Sequence, residues 1–214
     1  MDEKLLLLIN RDWTSPALDR VMAGASSFDA WAPPLILFLI FVLVLGGFRA
    51  RAFIITAALL VGVSDGLISK TLKRVIDRPR PHQSHDDVRV VDLGKAKPRL
   101  LALAQPAKVK LSQRSVEDVE GRSFPSSHTM NTLAVALAGA AFFGWRAWGL
   151  FAMAGLVAYS RIYTGSHWPS DVLVSIFLGA GTSLLMLALA AAGWRTLGAK
   201  WLTQIHAQHP SLFA

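Results

Sequence analysis

Three short polar clusters combine lysine, arginine, serine and histidine in patterns that suit chemistry on a phosphate group. The first cluster, at 73–81, reads KRVIDRPRP; the second, at 125–128, reads PSSH; the third, at 160–171, reads SRIYTGSHWPSD. Cations gathered at one point repel one another unless an anion lies between them, and guanidinium groups match phosphate oxygens in a bidentate way. The clusters therefore indicate a site for a phosphate if the fold brings them together.

The histidines of the second and third clusters can divide a phosphoryl transfer between them. His167 and Asp171 are four residues apart, so they lie on one face of a helix that begins near Trp168. A carboxylate beside an imidazole fixes its tautomer and stabilises its protonated form. The other ring nitrogen is then free to attack phosphorus, while His128 protonates the leaving oxygen as a general acid. This arrangement needs no metal ion.

Cations and a helix start are expected to hold the phosphate. The three cations are Lys73, Arg80 and Arg161. Pro125 suits the first turn of a helix, which places Ser126 and Ser127 where backbone N–H groups have no partner within the helix. Free N–H groups at a helix N-terminus favour an anion.

Long apolar runs separate the clusters and predict an integral membrane protein of the all-α class. The chain is 53% hydrophobic, has a mean hydropathy of +0.42 and contains no cysteine, which excludes disulfides and thiolate chemistry. The runs predict five helices, each close to the ~20 residues that cross ~30 Å of hydrocarbon. They are expected at about 31–48, 52–72, 126–144, 147–163 and 171–193.

The remaining segments complete a single predicted domain, residues 1–214. Residues 1–30 carry apolar side chains among charges, which predicts an interfacial helix at the membrane surface; a sixth span is disfavoured because charges interrupt every long window. These side chains are Leu5, Leu6, Leu8, Ile9, Leu18 and Val21. Residues 77–122 form one long polar loop outside the membrane.

The order of the spans brings all three clusters to one face of the membrane. The opposite face carries basic residues and no acidic one in its short connections. They are Arg49, Arg51, Arg146, Arg195 and Lys200. Short basic connections tend to stay cytoplasmic, so the long loop and the clusters are expected to face outward. This convergence is the main reason to predict an active site.

Each cluster also has an interpretation without chemistry. PSSH is compatible with an ordinary helix cap, because serine before a helix is common. His167 and Asp171 are compatible with a structural pair at a helix start. Arg74 and Arg78 are expected among the lipid headgroups.

Three further residues have predicted roles outside the reaction itself. Tyr163 and Trp168 are expected as interfacial anchors. Asp65 lies within the second span, where an acid is expensive, so it should have a partner in the site or on a neighbouring helix.

The three clusters together resemble the signature of the type-2 phosphatidic acid phosphatase superfamily, which includes membrane lipid phosphatases and vanadium haloperoxidases. Its first motif, Lys-x6-Arg-Pro, fits 73–81, and its third, Ser-Arg-x5-His-x3-Asp, fits 160–171. Its second, Pro-Ser-Gly-His, is matched at 125–128 with Ser127 in place of glycine. The motifs span about half of the chain, in the right order and at the right spacing.

The resemblance implies roles for individual residues. His167 would form a phosphohistidine, Asp171 would orient it and His128 would be the acid. Phosphate would be held by Lys73, Arg80, Ser126, Arg161 and the backbone around Ser127. No metal and no cofactor are expected.

The resemblance also implies a metal-independent lipid phosphatase, in the plasma membrane of a bacterium with its site on the outer, periplasmic face. Undecaprenyl diphosphate is the first choice of substrate; phosphatidylglycerophosphate, phosphatidate and lipid A are alternatives. A vanadium haloperoxidase and a non-catalytic lipid-binding or transport protein are the rivals from other classes. The net charge of +8 fits lipid headgroups or a phosphorylated substrate, so membrane lipids and not nucleic acid are the expected partners.

Overall fold

The computed structural model describes residues 1–114 and 122–213, and helices dominate this part of the chain. The helices are α1 (Asp2–Leu7), α2 (Pro16–Ser26), α3 (Phe28–Leu45), α4 (Phe48–Val63), α5 (Lys70–Ile76), α6 (Pro81–Ser84), α7 (Ser127–Phe143), α8 (Trp148–Tyr163), α9 (Pro169–Gly193), α10 (Ala199–Trp201) and α11 (Thr203–Gln208). The strands are β1 (Arg89–Asp92) and β2 (Lys108–Leu111). Wider π-helical turns span Leu8–Asp12, Ser64–Ser69 and Trp194–Gly198, and 3-10 turns span Arg99–Ala104 and Gly144–Ala147. The predicted all-α class is confirmed, with one small sheet added.

Within the described residues, four mostly helical segments are long and apolar enough to cross a membrane. They are Phe28–Leu45, Phe48–Ser84, Ser127–Tyr163 and Pro169–Trp201. Large apolar side chains on these segments point away from the protein: Leu37 on α3 and Phe177 on α9 are each 69% exposed. Continuous exposed apolar surface of this kind is stable in hydrocarbon and costly in water. The chain is an integral membrane protein.

The segment Ser127–Tyr163 contains two helices that pack side by side. The chain reverses at Gly144, whose φ of +60° suits a residue without a β-carbon. A β-carbon on Gly139 of α7 would overlap the Leu150 side chain of α8, so glycine allows the close approach. The five long helices α3, α4, α7, α8 and α9 occupy the five predicted positions, and the number that cross the bilayer stays a prediction.

Helix α7 lies at the centre of the bundle and packs on α4, α8 and α9. Its contacts are made by small side chains: Ala134 and Ala138 are fully buried beside Leu60 and Leu187. On α9, a β-carbon at Gly179 would lie 3.1 Å from the Met130 backbone. Small residues let the helix backbones approach closely, which fixes where the helix ends lie relative to one another.

The amino-terminal segment is folded onto the protein more than its sequence predicts. Helix α2 begins at Ser15, whose side chain accepts a hydrogen bond from the Leu18 N–H at 3.2 Å. Helix α1 packs against α9, and helix α2 packs against α8. Of the apolar side chains that predicted an interfacial helix, Leu6 and Ile9 are buried in the protein, whereas Leu5, Leu18 and Val21 are exposed. The position of residues 1–30 relative to the membrane stays a prediction.

The long loop predicted at 77–122 contains a two-stranded antiparallel sheet, in which β1 pairs with β2. β1 also packs against α2, and Val88, Val91 and Leu93 are buried there. The loop is therefore fastened to the amino-terminal segment. Residues 115–121 of the predicted loop lie outside the described residues.

Candidate active site

The three polar clusters lie where helix ends meet. Asp77 ends α5 in a left-handed conformation (φ 44°), four residues after Lys73. Helix α7 begins one residue before His128, and α8 is joined to α9 by residues 164–168, which contain His167. Each helix contributes a terminus, where backbone groups are free and side chains can converge.

The His167 side chain is buried, and a backbone carbonyl fixes its tautomer. The residue is 2% exposed, and its Nδ1 lies 2.5 Å from the Ser123 carbonyl oxygen. A carbonyl oxygen only accepts hydrogen bonds, so Nδ1 carries the proton. Nε2 then holds a lone pair and has the form of a nucleophile.

Three cations act on both imidazoles of the site. They are Lys73, Arg80 and Arg161. Each acts electrostatically on His128 as well as on His167, so the first cluster and the two histidine clusters share one space. Burial, together with Arg161 and Arg80, holds the pKa of the His167 imidazole well below its ordinary value of 6.5. His167 is therefore neutral at physiological pH.

Arg161 offers a buried hydrogen-bond donor to the site. The residue is 8% exposed, and its Nη1 donates to the hydroxyl and to the carbonyl oxygen of Ser26, the latter at 3.3 Å. Its Nε is buried and has no hydrogen-bond partner among residues 1–114 and 122–213. A buried donor without a partner is costly, and a phosphate oxygen would satisfy it.

The two serines before His128 differ from what the sequence predicts. The Ser126 N–H donates to Ser175 Oγ at 2.8 Å in a fully buried position, so this N–H group is not free for an anion. Ser127 Oγ accepts from Lys73 Nζ at 2.6 Å and lies 2.6 Å from Ser69 Oγ. Ser127 stands where the motif has glycine, and its hydroxyl therefore holds the Lys73 ammonium in place.

Asp171 acts on His167 indirectly. Its carboxylate accepts from Arg78 Nη1 at 2.5 Å, from Ser123 Oγ at 2.5 Å and from the Trp168 N–H at 3.2 Å. His167 Nδ1 donates to the Ser123 carbonyl instead of the expected carboxylate. The direct bond predicted from the four-residue spacing is corrected: the Asp171 carboxylate holds Ser123, and Ser123 holds the imidazole.

Comparison with known proteins assigns the fold and the motifs to one family. The PAP2 superfamily matches residues 52–195, a range that includes all three polar clusters. The chain belongs to the PAP2 superfamily. This confirms the family that the three motifs predicted.

Two solved structures share the fold of this PAP2 protein. LpxE of Aquifex aeolicus superposes with a TM-score of 0.61 at 23% identity, over 87% of this chain and 94% of that chain. The PAP2-type phosphatidylglycerolphosphate phosphatase of Bacillus subtilis superposes with a TM-score of 0.56 at 20% identity, over 88% of this chain and 84% of that chain. At these identities the likeness concerns the fold.

Two named relatives align over shorter stretches. YbjG of Escherichia coli (strain K12), which is provisionally named an undecaprenyl-diphosphatase, is 32% identical over 96 residues, 43% of this chain and 45% of its own. An undecaprenyl-diphosphatase of Sulfolobus acidocaldarius is 45% identical over 38 residues, 18% of each chain. The aligned part thus spans less than half the length of these relatives.

Of the three residues that the sequence placed at the membrane surface, two are buried in the protein and the third, Arg78, is partly buried. Tyr163 is fully buried and Trp168 is 7% exposed, so neither is an interfacial anchor. Arg78, expected among headgroups, is paired with Asp171. The sequence Arg-Pro-Arg-Pro at 78–81 contains two arginines that could belong to the site, and the spacing of the motif indicated only the second, Arg80.

Two more charges adjoin the site. Asp65, in the π-helical turn Ser64–Ser69, acts electrostatically on Lys73 and His128, so it has the partners expected of an acid within the span. Arg122, which no motif indicated, acts on Lys73 and on Arg80. These two charges have opposite signs, and neither belongs to the three motifs.

We expect Gly165→Ala to destabilise the fold by about 1–3 kcal/mol, the usual cost of a strained backbone. Gly165 has a φ of +68°, and a β-carbon there would lie 2.7 Å from the Arg89 carbonyl oxygen and 2.8 Å from Val88 Cγ1. The thermal unfolding midpoint in detergent measures the effect. Gly155→Ala is the matched control, because a β-carbon at Gly155 meets nothing within 4 Å. Equal midpoints for the two variants would contradict the prediction.

Proposed function

We propose that this PAP2 protein hydrolyses a lipid phosphate or diphosphate through a phosphohistidine at His167, and that undecaprenyl diphosphate is its substrate. The observation that carries the proposal is the buried Arg161 guanidinium, whose Nε has no hydrogen-bond partner in the described part of the chain, beside a neutral imidazole that has its Nε2 lone pair available. Lys73 and Arg80 add positive charge at the same place. A phosphoryl group, with its negative oxygens around an electrophilic phosphorus, is complementary to this arrangement.

The reaction has two steps with balanced proton transfers. First, Nε2 of His167 forms a bond to phosphorus, the bond from phosphorus to the leaving oxygen breaks, and His128 donates a proton to that oxygen. Second, His128 takes a proton from water, the water oxygen attacks phosphorus, and the bond to Nε2 breaks to release inorganic phosphate. The cations stabilise the charge on the phosphoryl oxygens in both transition states.

The membrane setting and the relatives support a lipid substrate. The site lies at the ends of helices whose outer surfaces are apolar, so a lipid tail can stay in hydrocarbon while its phosphate reaches His167. Both named relatives carry the name undecaprenyl-diphosphatase. That agreement favours the carrier-lipid diphosphate over the other lipids of the family.

The proposed setting is a bacterial plasma membrane with the site on the outer face. The connections at the other end carry only basic charges, which tend to stay cytoplasmic. Because the chain has no cysteine, a single introduced cysteine reports orientation. A membrane-impermeant maleimide should label Arg114→Cys in intact cells and should not label Lys200→Cys; the reverse pattern would contradict this orientation.

A phosphate-release panel on the purified protein tests the proposed function. The panel contains undecaprenyl diphosphate, phosphatidylglycerophosphate, phosphatidate and lipid A, each assayed with EDTA and without added metal. We expect the highest kcat/KM for undecaprenyl diphosphate. A higher value for another lipid would reassign the substrate, and strict dependence on a divalent ion would refute the histidine mechanism. Vanadate-dependent halide oxidation without phosphate release would indicate a haloperoxidase instead.

We expect the acid limb of the kcat/KM profile to lie below pH 6.5. The nucleophile must be neutral, and burial together with Arg161 and Arg80 lowers the pKa of His167, so its neutral form persists as the pH falls through 6.5. Activity is lost only when the pH falls through the depressed value. Because the substrate phosphate also titrates near pH 6, its ionisation is measured by phosphorus NMR in the same micelles and used to correct the profile. A corrected limb centred above 6.5 would contradict the prediction.

A further inference from the structure

The amino-terminal segment contacts both ends of the part of the chain that carries Arg161 and His167. Residues 160–171 are here named the His167 segment. We propose that residues 2–26 are a positioning element of the active site, which holds the His167 segment in its reactive geometry. This inference rests on the proposed function, and it goes beyond it because none of these residues belongs to the three motifs.

Asp2 binds the carboxyl-terminal end of the His167 segment. Its carboxylate accepts from the Ser170 N–H at 2.9 Å and from Ser170 Oγ at 2.5 Å, and it pairs with Arg78 Nη2 at 2.8 Å. The same guanidinium donates its Nη1 to Asp171 at 2.5 Å. Burial acts against ionisation, yet the hydrogen bonds of Ser170 and the pairing with Arg78 hold the pKa of the Asp2 carboxyl below its ordinary value. Asp2 is therefore charged at neutral pH and anchors Arg78.

A continuous chain of contacts leads from Asp2 to the nucleophile. Arg78 bridges Asp2 and Asp171. Asp171 accepts a hydrogen bond from Ser123 Oγ, and the Ser123 carbonyl accepts from His167 Nδ1. Each link is a hydrogen bond or an ion pair in the interior or partly buried, where such bonds orient side chains strongly. A displacement of Arg78 would therefore reach the imidazole.

Asn10 binds the His167 segment at Tyr163, where α8 ends. It is fully buried, and its Nδ2 donates to the Tyr163 carbonyl at 2.7 Å and to the Arg89 carbonyl at 2.8 Å. Its Oδ1 accepts from the Arg89 N–H at 2.8 Å. One amide thus joins the end of α8 to β1, and this bonding leaves no role for Asn10 at a lipid surface.

Asp19 and Ser26 bind the amino-terminal end of the His167 segment. Asp19 is 6% exposed, accepts from Tyr163 Oη at 2.7 Å and pairs with Arg89 Nη2 at 2.7 Å. Ser26 accepts from Arg161 Nη1. The guanidinium that offers Nε to the phosphate is thus fixed at its other end by the amino-terminal segment.

Asp2→Asn tests the proposal in the full-length protein. The substitution keeps the size of the side chain and removes the charge that anchors Arg78. We expect kcat to fall about tenfold, with KM changed less than about twofold, since misplacement of reacting groups by a fraction of an ångström has effects of this order. We also expect amide hydrogen exchange in residues 160–171 to accelerate about tenfold without substrate. Asp2→Glu should restore part of kcat.

The matched control is Asp12→Asn, the same chemical change at an exposed position of the same segment. It should leave kcat and exchange unchanged. A purely structural role of Asp2 would lower the unfolding midpoint while kcat per folded molecule and exchange at 160–171 stay at the wild-type values; that result would overturn the proposal. A fall in kcat without faster exchange would also overturn it.

Two further outcomes are distinguishable. If the wild-type protein releases no phosphate from any lipid, the proposed function fails, and the exchange measurement alone decides whether residues 2–26 hold the His167 segment. If Asp2→Asn does not accumulate as a folded protein, Tyr163→Phe replaces it, because this change removes only the hydroxyl, which donates to Asp19 and accepts from the Ser15 N–H at 3.4 Å. A fall in kcat of about threefold or more would support the proposal, in line with the loss of one hydrogen bond to a charged group, and an unchanged kcat would overturn it.

Discussion

His167→Ala is expected to abolish phosphate release, with kcat reduced by about 10⁴-fold or more, as for the loss of a covalent nucleophile. The hydrogen bond from His167 Nδ1 to the Ser123 carbonyl leaves the Nε2 lone pair available to attack phosphorus. The cations stay in place in the variant, so phosphate binding should persist. Phosphate release from undecaprenyl diphosphate measures the first effect, and calorimetric titration of the variant with inorganic phosphate measures the second.

His206→Ala is the control for the loss of a histidine, since His206 contacts the Trp194 ring at the opposite end of the bundle. It should release phosphate at the wild-type rate. When turnover is quenched without acid, phosphorylated protein should be detected for the wild type, and no phosphorylated protein should be detected for His167→Ala. Residual turnover of His167→Ala near the wild-type rate would refute the covalent mechanism, whatever the substrate.

Arg161→Lys should lower kcat/KM by about 10²–10³-fold, the usual effect of removing one donor that stabilises the transition state. Lysine retains the charge but lacks the buried Nε–H, which has no partner among the residues that the structure describes, and it cannot bind phosphate in a bidentate way. The loss should therefore appear mainly in kcat. Inhibition by orthovanadate, which mimics the phosphoryl transition state, should weaken in parallel.

Arg74→Lys is the matched control, because Arg74 is exposed on α5 in the first cluster and lies outside the spacing of the motif. It should behave as the wild type. If Arg161→Lys also retains full kcat/KM, the guanidinium has no part in stabilising the reacting phosphate, and the proposed role of its free Nε is wrong.

Helix positions and the convergence of the clusters were predictable because both depend on local properties of the chain. A run of about 20 apolar residues predicts a helix by itself. The order of the runs then decides which connections share a face. Lys73, His128 and His167 could be assigned to one end of the bundle in this way, without knowledge of any contact. The order and spacing of the three motifs likewise predicted the family.

The roles of individual charges were harder to predict. Arg78 and Arg80 are each followed by a proline, yet one pairs with Asp171 and the other acts on the imidazoles. The spacing of His167 and Asp171 predicted a direct bond, because helical periodicity places them on one face. His167 lies just before α9, outside its regular turn, and the Ser123 carbonyl competes for its Nδ1.

The sequence by itself determined the membrane helices, the shared end of the bundle and the residue types that can hold and transfer a phosphate, since all three follow from composition and from spacings of a few residues. Only the tertiary structure decided which groups bond to one another: Ser123 to His167, Arg78 to Asp171, and Asp2 to Ser170, pairs separated by 44, 93 and 168 residues. Such pairs form when helix packing brings distant segments within hydrogen-bond distance, and no periodicity along the chain records that packing. The sequence predicts a membrane-surface helix for the amino-terminal segment, and only the structure shows that its buried Asn10 and Asp19 side chains also bond to Tyr163 at the end of α8.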